Sequence, residues 1–334
     1  MGEFSLNLSP NLGEIKRGIN ESECEDVILN LIQNPILNCQ MDPEINSGWH
    51  KINSGWHKIN SGWHNQNIEI TLEANPEFIT REYVDWLKRI WINRISIWVQ
   101  TLREKSLAEI WRCKEEVIFS ALDVLEESGF DNVWVDFIVW LPHVEKWDAK
   151  KDIEMLLSRY KVIKHVSVYM LEDGKYPENW KENSLKEDEL WREYEEVADF
   201  LESIGFGRYE ISNFAKSGFE CVHNSWYWNH TPYRWFWLSA ASFTDNRRYA
   251  NTQNFIGYYT GVLEYEEELT TEDIRMEKNI FDIRTKWLPY DKVLNQVKYE
   301  EFKNEMLISE SWNNIKITNK WAALADYIFK ELFL

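Results

Sequence analysis

Residues 115–142 read EEVIFSALDVLEESGFDNVWVDFIVWLP, and this stretch decides the fold. Its first half, 115–128, is an amphipathic helix ending at Gly129. Its second half, 132–142, has the run of branched and aromatic residues of a strand. The same alternation extends both ways. IEITLEANP begins at Ile68 and alternates like a strand, and 79–90 reads as a helix with Thr80 as its N-cap. Strands are expected at 92–100 and 165–171, helices at 148–160 and 190–206, and a further strand at 208–214. Strands alternating with helices of this length mean βα units and a mostly parallel sheet. No G-x-G-x-x-G follows any strand, so an incomplete (β/α) barrel fits better than a dinucleotide-binding fold. From about residue 260 the chain is charged and helical, and 317–333 closes it. The expected division is 1–65, a 66–255 partial barrel, and a small helical subdomain at 256–334.

The 334 residues allow one large domain or two ordinary ones, and 44% are hydrophobic. A net charge of −19 argues against nucleic acid as a partner. No run of 18 apolar residues suggests a membrane span, and the start does not read as a signal peptide. Four scattered cysteines (Cys24, Cys39, Cys113, Cys221) suit a reducing cytoplasm. Two counts stand out. Glycine numbers 13 of 334, where roughly 7% is usual, and tryptophan, an uncommon residue, numbers 19.

Residues 45–64 repeat INSGWHK with a seven-residue period. Ser-Gly in each copy opposes a coiled coil, and His50, His57 and His64 invite a metal reading. A loose loop from a short tandem duplication is the expected reading. The helix-to-strand junctions carry a different signal. ESGFDNVWVDF (127–137) and ESIGFGRYEIS (202–212) each end a helix on glycine, which enters the left-handed conformation freely. In KRIWINRISIW (88–98), Trp91 stands where Gly129 and Gly205 stand.

In a β/α barrel the working residues lie at the C-terminal ends of strands. Here the candidates are Glu73, Gln100, Asp136 and Tyr169. Alternation puts Ser96, Trp98 and Gln100 on one face, and Trp134, Asp136 and Trp140 on one face. Such polar residues need a partner, either another side chain or a ligand.

The segments IEITLEANPE, NRISIWVQ, VDFIVWLP, HVSVYML, RYEISNFA and ECVHNSWYW resemble the oxygen-independent coproporphyrinogen oxidase-like family of radical S-adenosylmethionine (SAM) proteins. The resemblance runs from about residue 66 to the end and is nearest the heme chaperone branch. It implies a partial TIM barrel of radical-SAM type, with SAM, a [4Fe–4S] cluster and heme or porphyrin as ligands of the intact family member. It implies that Glu73, Gln100, Arg112 and Asp136 contact SAM, Arg112 through the methionine carboxylate and Asp136 near the ribose. HNSWYW resembles the branch signature, which makes His223 a candidate heme ligand. The plain alternative is a loop histidine bonded to its neighbours. Cys221 reads as a small buried residue.

The cluster motif C-x3-C-x2-C is absent from this chain, so no cluster or radical is expected on it. The start faintly resembles the segment just past the family's glycine-rich loop, so the chain is expected to begin after the second barrel strand. Trp91, Trp98, Trp111, Trp140, Trp235, Trp237, Trp287 and Trp321 fall on family glycine positions, while Trp228 falls on a true tryptophan. One expectation is that these codons are UGA, read as glycine in a few bacterial lineages. The competing reading keeps the tryptophans, plugging the barrel or lining a porphyrin surface. Function is expected to be heme binding and delivery to an acceptor protein in the cytoplasm. The alternatives are oxidative decarboxylation of coproporphyrinogen III propionates, and an inactive fragment.

Overall fold

Period-two patterning between Ile68 and Tyr169 becomes the middle of one seven-stranded sheet. The structure is a computed structural model that describes residues 5–6, 68–170, 180, 187–285, 288–318 and 325–333. The 45–64 repeat, Cys24, Cys39, Trp287 and Trp321 lie outside the described residues.

The sheet contains β1 (Ser5–Leu6), β2 (Thr71–Ala74), β3 (Arg94–Gln100), β4 (Val133–Ile138), β5 (Ile163–Tyr169), β6 (Phe206–Arg208) and β7 (Asn213–Lys216). Its order is β1-β2-β3-β4-β5-β7-β6, with β1 to β5 parallel to one another. β7 runs antiparallel to both β5 and β6. The crossovers contain α1 (Arg81–Arg89), α2 (Glu104–Glu109), α3 (Glu115–Glu127) and α4 (Asp148–Arg159), and α5 (Glu187–Ser203) precedes the antiparallel edge. The open sheet with sequential strands is the expected partial barrel.

Local chemistry accounts for the boundaries. Thr80 Oγ1 accepts from Tyr83 N at 3.2 Å and starts α1. The buried stripe Ile118, Ala121, Leu122 and Leu125 fixes α3 onto the sheet. The β3 and β4 interiors (Ile95, Ile97, Val99, Val133, Val135, Phe137) are almost wholly buried, as strands covered by crossover helices are.

Two expectations change. The single strand expected at 208–214 is instead the end of β6 and the start of β7, joined by a turn at 209–212. Glu210 bends the chain there, accepting from Ser212 N at 3.0 Å and from the Asn213 side chain. The C-terminal region expected to be helical is α+β. After α6 (Val222–Trp228) comes a three-stranded antiparallel sheet of β8 (Ala241–Thr244), β9 (Arg247–Asn251) and β10 (Leu263–Glu268), with α7 (Phe255–Tyr259) before β10. Then α8 (Thr271–Thr285), α9 (Gln296–Asn304) and α10 (Ala325–Phe333) share a second core with β11 (Leu288–Pro289), β12 (Ile308–Ser311) and β13 (Asn314–Ile317). These strands are two to four residues long, too short to show a period of two.

The junction comparison holds in three dimensions. Trp91 has φ 67°, beside 66° at Gly129 and 84° at Gly205. Trp91, Trp111, Trp237 and Trp312 are exposed, so their burden is on the backbone.

Candidate functional site

The carboxyl edge of the parallel strands gathers the candidate residues into two adjoining groups. The inner one is fully buried. Ser96 Oγ, from β3, donates to Asp136 Oδ2 at 3.1 Å across to β4. Their placement follows from register, with Ser96 opposite Trp134, and Asp136 opposite Ser167. The Trp134 indole N–H donates to Ser167, whose hydroxyl donates to Asn213, whose amide donates to Glu210. Burial, and next the neighbouring Glu73 charge, raise the Asp136 carboxyl to about 7 against the bonds that favour its anion. Asp136 Oδ1 is buried with no protein partner, and so is Gln100 Oε1.

Gln100 ends β3 with φ 65°, just after a register irregularity between Ile97 and Gln100. The simple alternation that put it on the Ser96 face breaks there. A non-glycine residue held in this region beside an unsatisfied buried oxygen is strain located at a site.

The outer group is Glu73, Trp98, Arg112 and His223. Glu73 leaves β2 half-buried, and burial raises its pKa against the His223 charge and a hydrogen bond from Trp98. The Arg112 guanidinium lies 5.2 Å from the Trp98 ring centroid and donates to Asn75 Oδ1. The Trp98 indole thus stands against both charged groups. His223, in the first turn of α6, meets the rings of Tyr227 at 4.7 Å and Trp235 at 5.2 Å, both edge-on. Tyr169 ends β5 and is 37% exposed. The plain reading of His223 is a loop histidine bonded to its neighbours; the residue does meet its neighbours Tyr227 and Trp235, but from a helix rather than a loop.

A third, supporting network lies at the other end of β3. Arg94 is fully buried, pairs with Glu69 at 3.2 Å and donates to Phe219 O at 2.9 Å. Glu69 in turn accepts from Val222 N at 3.3 Å and from Cys221 Sγ at 3.4 Å, at the start of α6. Cys221 is buried as expected, and its sulfur also accepts from Asn224 N at 3.5 Å. Tyr209 OH joins Asn224, at 3.4 Å, to His165 Nε2, at 2.8 Å. Strand β3 and the β6–β7 turn therefore position the helix that carries His223.

All five expected residues fall near this edge. Sequence reasoning missed Ser167, Asn213 and Glu210. Alternation along HVSVY places Ser167 on the face of His165 and Tyr169, but the other two depend on the unforeseen turn.

The donor set does not fit an iron–sulfur cluster. No three of the four cysteines have the required spacing, and burial raises Cys113 to about 11 and Cys221 to about 12. Among the described residues no His, Cys, Asp and Glu group could hold a metal ion. None of their helices is long and apolar enough to cross a membrane.

Comparison with known proteins agrees with this architecture. Residues 22–156 match the model of the Radical SAM superfamily. The chain is similar to the heme chaperone HemW of Lactococcus lactis, 34% identical over 190 residues, covering 55% of this chain and 50% of that protein. It is similar to the heme chaperone HemW of Bacillus subtilis, 31% identical over 228 residues, covering 64% and 59%. The chain therefore spans about half to three-fifths of these relatives. The solved structure of Escherichia coli coproporphyrinogen III oxidase (HemN), a radical SAM enzyme, shares the fold. Its TM-score is 0.62 at 19% identity, over 79% of this chain and 69% of that one. Part of the chain thus matches the Radical SAM superfamily model, these relatives are HemW heme chaperones, and its fold is shared with coproporphyrinogen III oxidase.

Proposed function

We propose that this chain belongs to a heme-binding protein, with His223 as the axial ligand to iron and a SAM-binding edge beside it. The observation that carries the reading is the setting of His223. A half-buried imidazole sits between two aromatic edges, on a helix anchored to the barrel. Imidazole suits heme iron, and aromatic walls suit a porphyrin face. The role that names the HemW relatives, heme chaperone, points the same way.

The partnerless Asp136 Oδ1 and Gln100 Oε1 fit a ligand with hydroxyl or amino donors, as adenosylmethionine has. Arg112 supplies a fork for a carboxylate, and Glu73 a negative charge for an amino group. In the intact family, SAM and its cluster supply radical chemistry. The residues of this edge would bind and orient the nucleoside end. An acceptor protein for heme belongs to the same proposal.

Heme titration followed in the Soret band tests it. His223→Ala is expected to weaken binding by about tenfold or more and to change the band. Unchanged affinity and spectrum would remove His223 as the ligand. Vinyl products formed from coproporphyrinogen III would support decarboxylation instead.

A further inference from the structure

Backbone geometry carries an inference about the residues themselves. Among the described residues are fourteen tryptophans, and five of them have positive φ: Trp91 at 67°, Trp111 at 56°, Trp147 at 70°, Trp237 at 118° and Trp312 at 47°. With an L side chain this region brings Cβ against the following carbonyl, and glycine enters it without that clash.

Three of the five occupy positions with a specific demand for glycine. Trp91 N donates to Lys88 O at 3.1 Å, and Ile92 N to Leu87 O at 3.0 Å. Trp111 N donates to Ala108 O at 3.3 Å, and Arg112 N to Leu107 O at 2.8 Å. These nested pairs are the helix-ending motif whose left-handed residue is usually glycine. The same pairs end α3, where Gly129 N donates to Glu126 O and Phe130 N to Leu125 O, at 3.1 and 3.2 Å. Trp312 with Asn313 forms the two-residue loop between β12 and β13, both at positive φ. The β8–β9 hairpin has the same kind of loop, built from Asp245 and Asn246, residue types that tolerate it.

Packing does not offset the strain. Trp111 is 94% exposed and Trp312 is 95% exposed. An indole there gives up backbone freedom and buries almost no apolar surface. His230 and Met306 show that other side chains also enter such turns, at φ 56° and 60°. No other residue type does so five times. Two of the five, Trp147 and Trp312, were not among the positions the family resemblance named. Composition shows the complementary imbalance, 19 tryptophans against 13 glycines.

We infer that positions 91, 111, 147, 237 and 312 carry glycine in the native polypeptide, encoded by UGA, which different genetic codes read as tryptophan or as glycine. The helix ends and the β12–β13 hairpin then have the residue their geometry requires. The strain at these five positions is a property of the tryptophan-bearing chain and is absent from the native one.

Peptide mass spectrometry of the protein purified from its own cells is the test. Each peptide spanning one of the five positions is expected to be lighter by C9H7N, an indolylmethyl group replaced by hydrogen. Tryptophan masses there, or UGG codons in the gene, would overturn the inference. A second measurement compares the tryptophan chain with single variants Trp91→Gly, Trp111→Gly and Trp312→Gly in denaturant. Each is expected to shift the folding equilibrium at least about fivefold toward the folded state. Asn246→Gly, where the native residue already tolerates the turn, serves as the control and is expected to shift it little. No gain at the three tryptophans would remove the strain on which the inference stands.

Discussion

Asp136 shows how one residue couples the site to pH. Its carboxyl is about 7 in the folded chain and near 3.9 in an unfolded one. The folded state therefore holds a proton that the unfolded state has lost between about pH 4 and pH 7. The contribution to stability is fully present below about pH 4 and is lost as pH rises through about 7. Asp136→Asn is expected to flatten this part of the stability curve and to stabilise the chain above pH 7, by a few kcal/mol at most. Urea unfolding at pH 4, 6 and 8 checks it, and a slope unchanged by the variant would mean another group titrates. Ser96 and Ser167 needed the register between strands to be recognised as its neighbours. The candidate carboxylate itself was legible from alternation in VWVDF, because that needs only the chain's own period.

At the scale of elements, α6 depends on a pair outside its own sequence. Glu69 accepts from Val222 N, and the buried Arg94 holds Glu69. Removing one member of a buried pair leaves the other charged and uncompensated, at about 3–5 kcal/mol. Arg94→Met is expected to cost that much in guanidinium unfolding and to loosen α6. Faster amide exchange at Ser225 and Asn229, whose amides bond back to Cys221 and Ser225, would register it. A loss of stability with α6 exchange unchanged would assign Arg94 to the sheet alone. Helices α1, α3 and α4 were legible to within one or two residues, since their apolar stripes and caps lie within the element. The β6–β7 turn was not, because a side chain, Glu210, bends a segment whose pattern reads as one strand.

Across the molecule, a buried hydrogen bond and apolar packing join the two cores. Arg208, at the end of β6, is buried and donates to Ile317 O of β13 at 3.0 Å, and Ile211 packs against the second core. Arg208→Met is expected to cost about 1.5–3 kcal/mol, the value of a hydrogen bond to a charged group. Calorimetry is expected to show a broadened or split transition, as the 288–333 region uncouples from the sheet. One sharp transition at the original temperature would show that apolar packing alone joins them.

The sequence by itself determined the parallel βα order, the acidic surface, the absence of cluster cysteine spacing and the mismatch between tryptophan and glycine. Each of these depends on composition or on local periodicity, which a chain carries before it folds. Only the tertiary structure decided that Asp136 and Gln100 hold buried oxygens without partners, that Trp98 stands against both Glu73 and Arg112, and that an Arg94–Glu69 pair sets the helix of His223. Those facts join residues far apart in the chain, and register, burial and backbone angle exist only once the strands have paired.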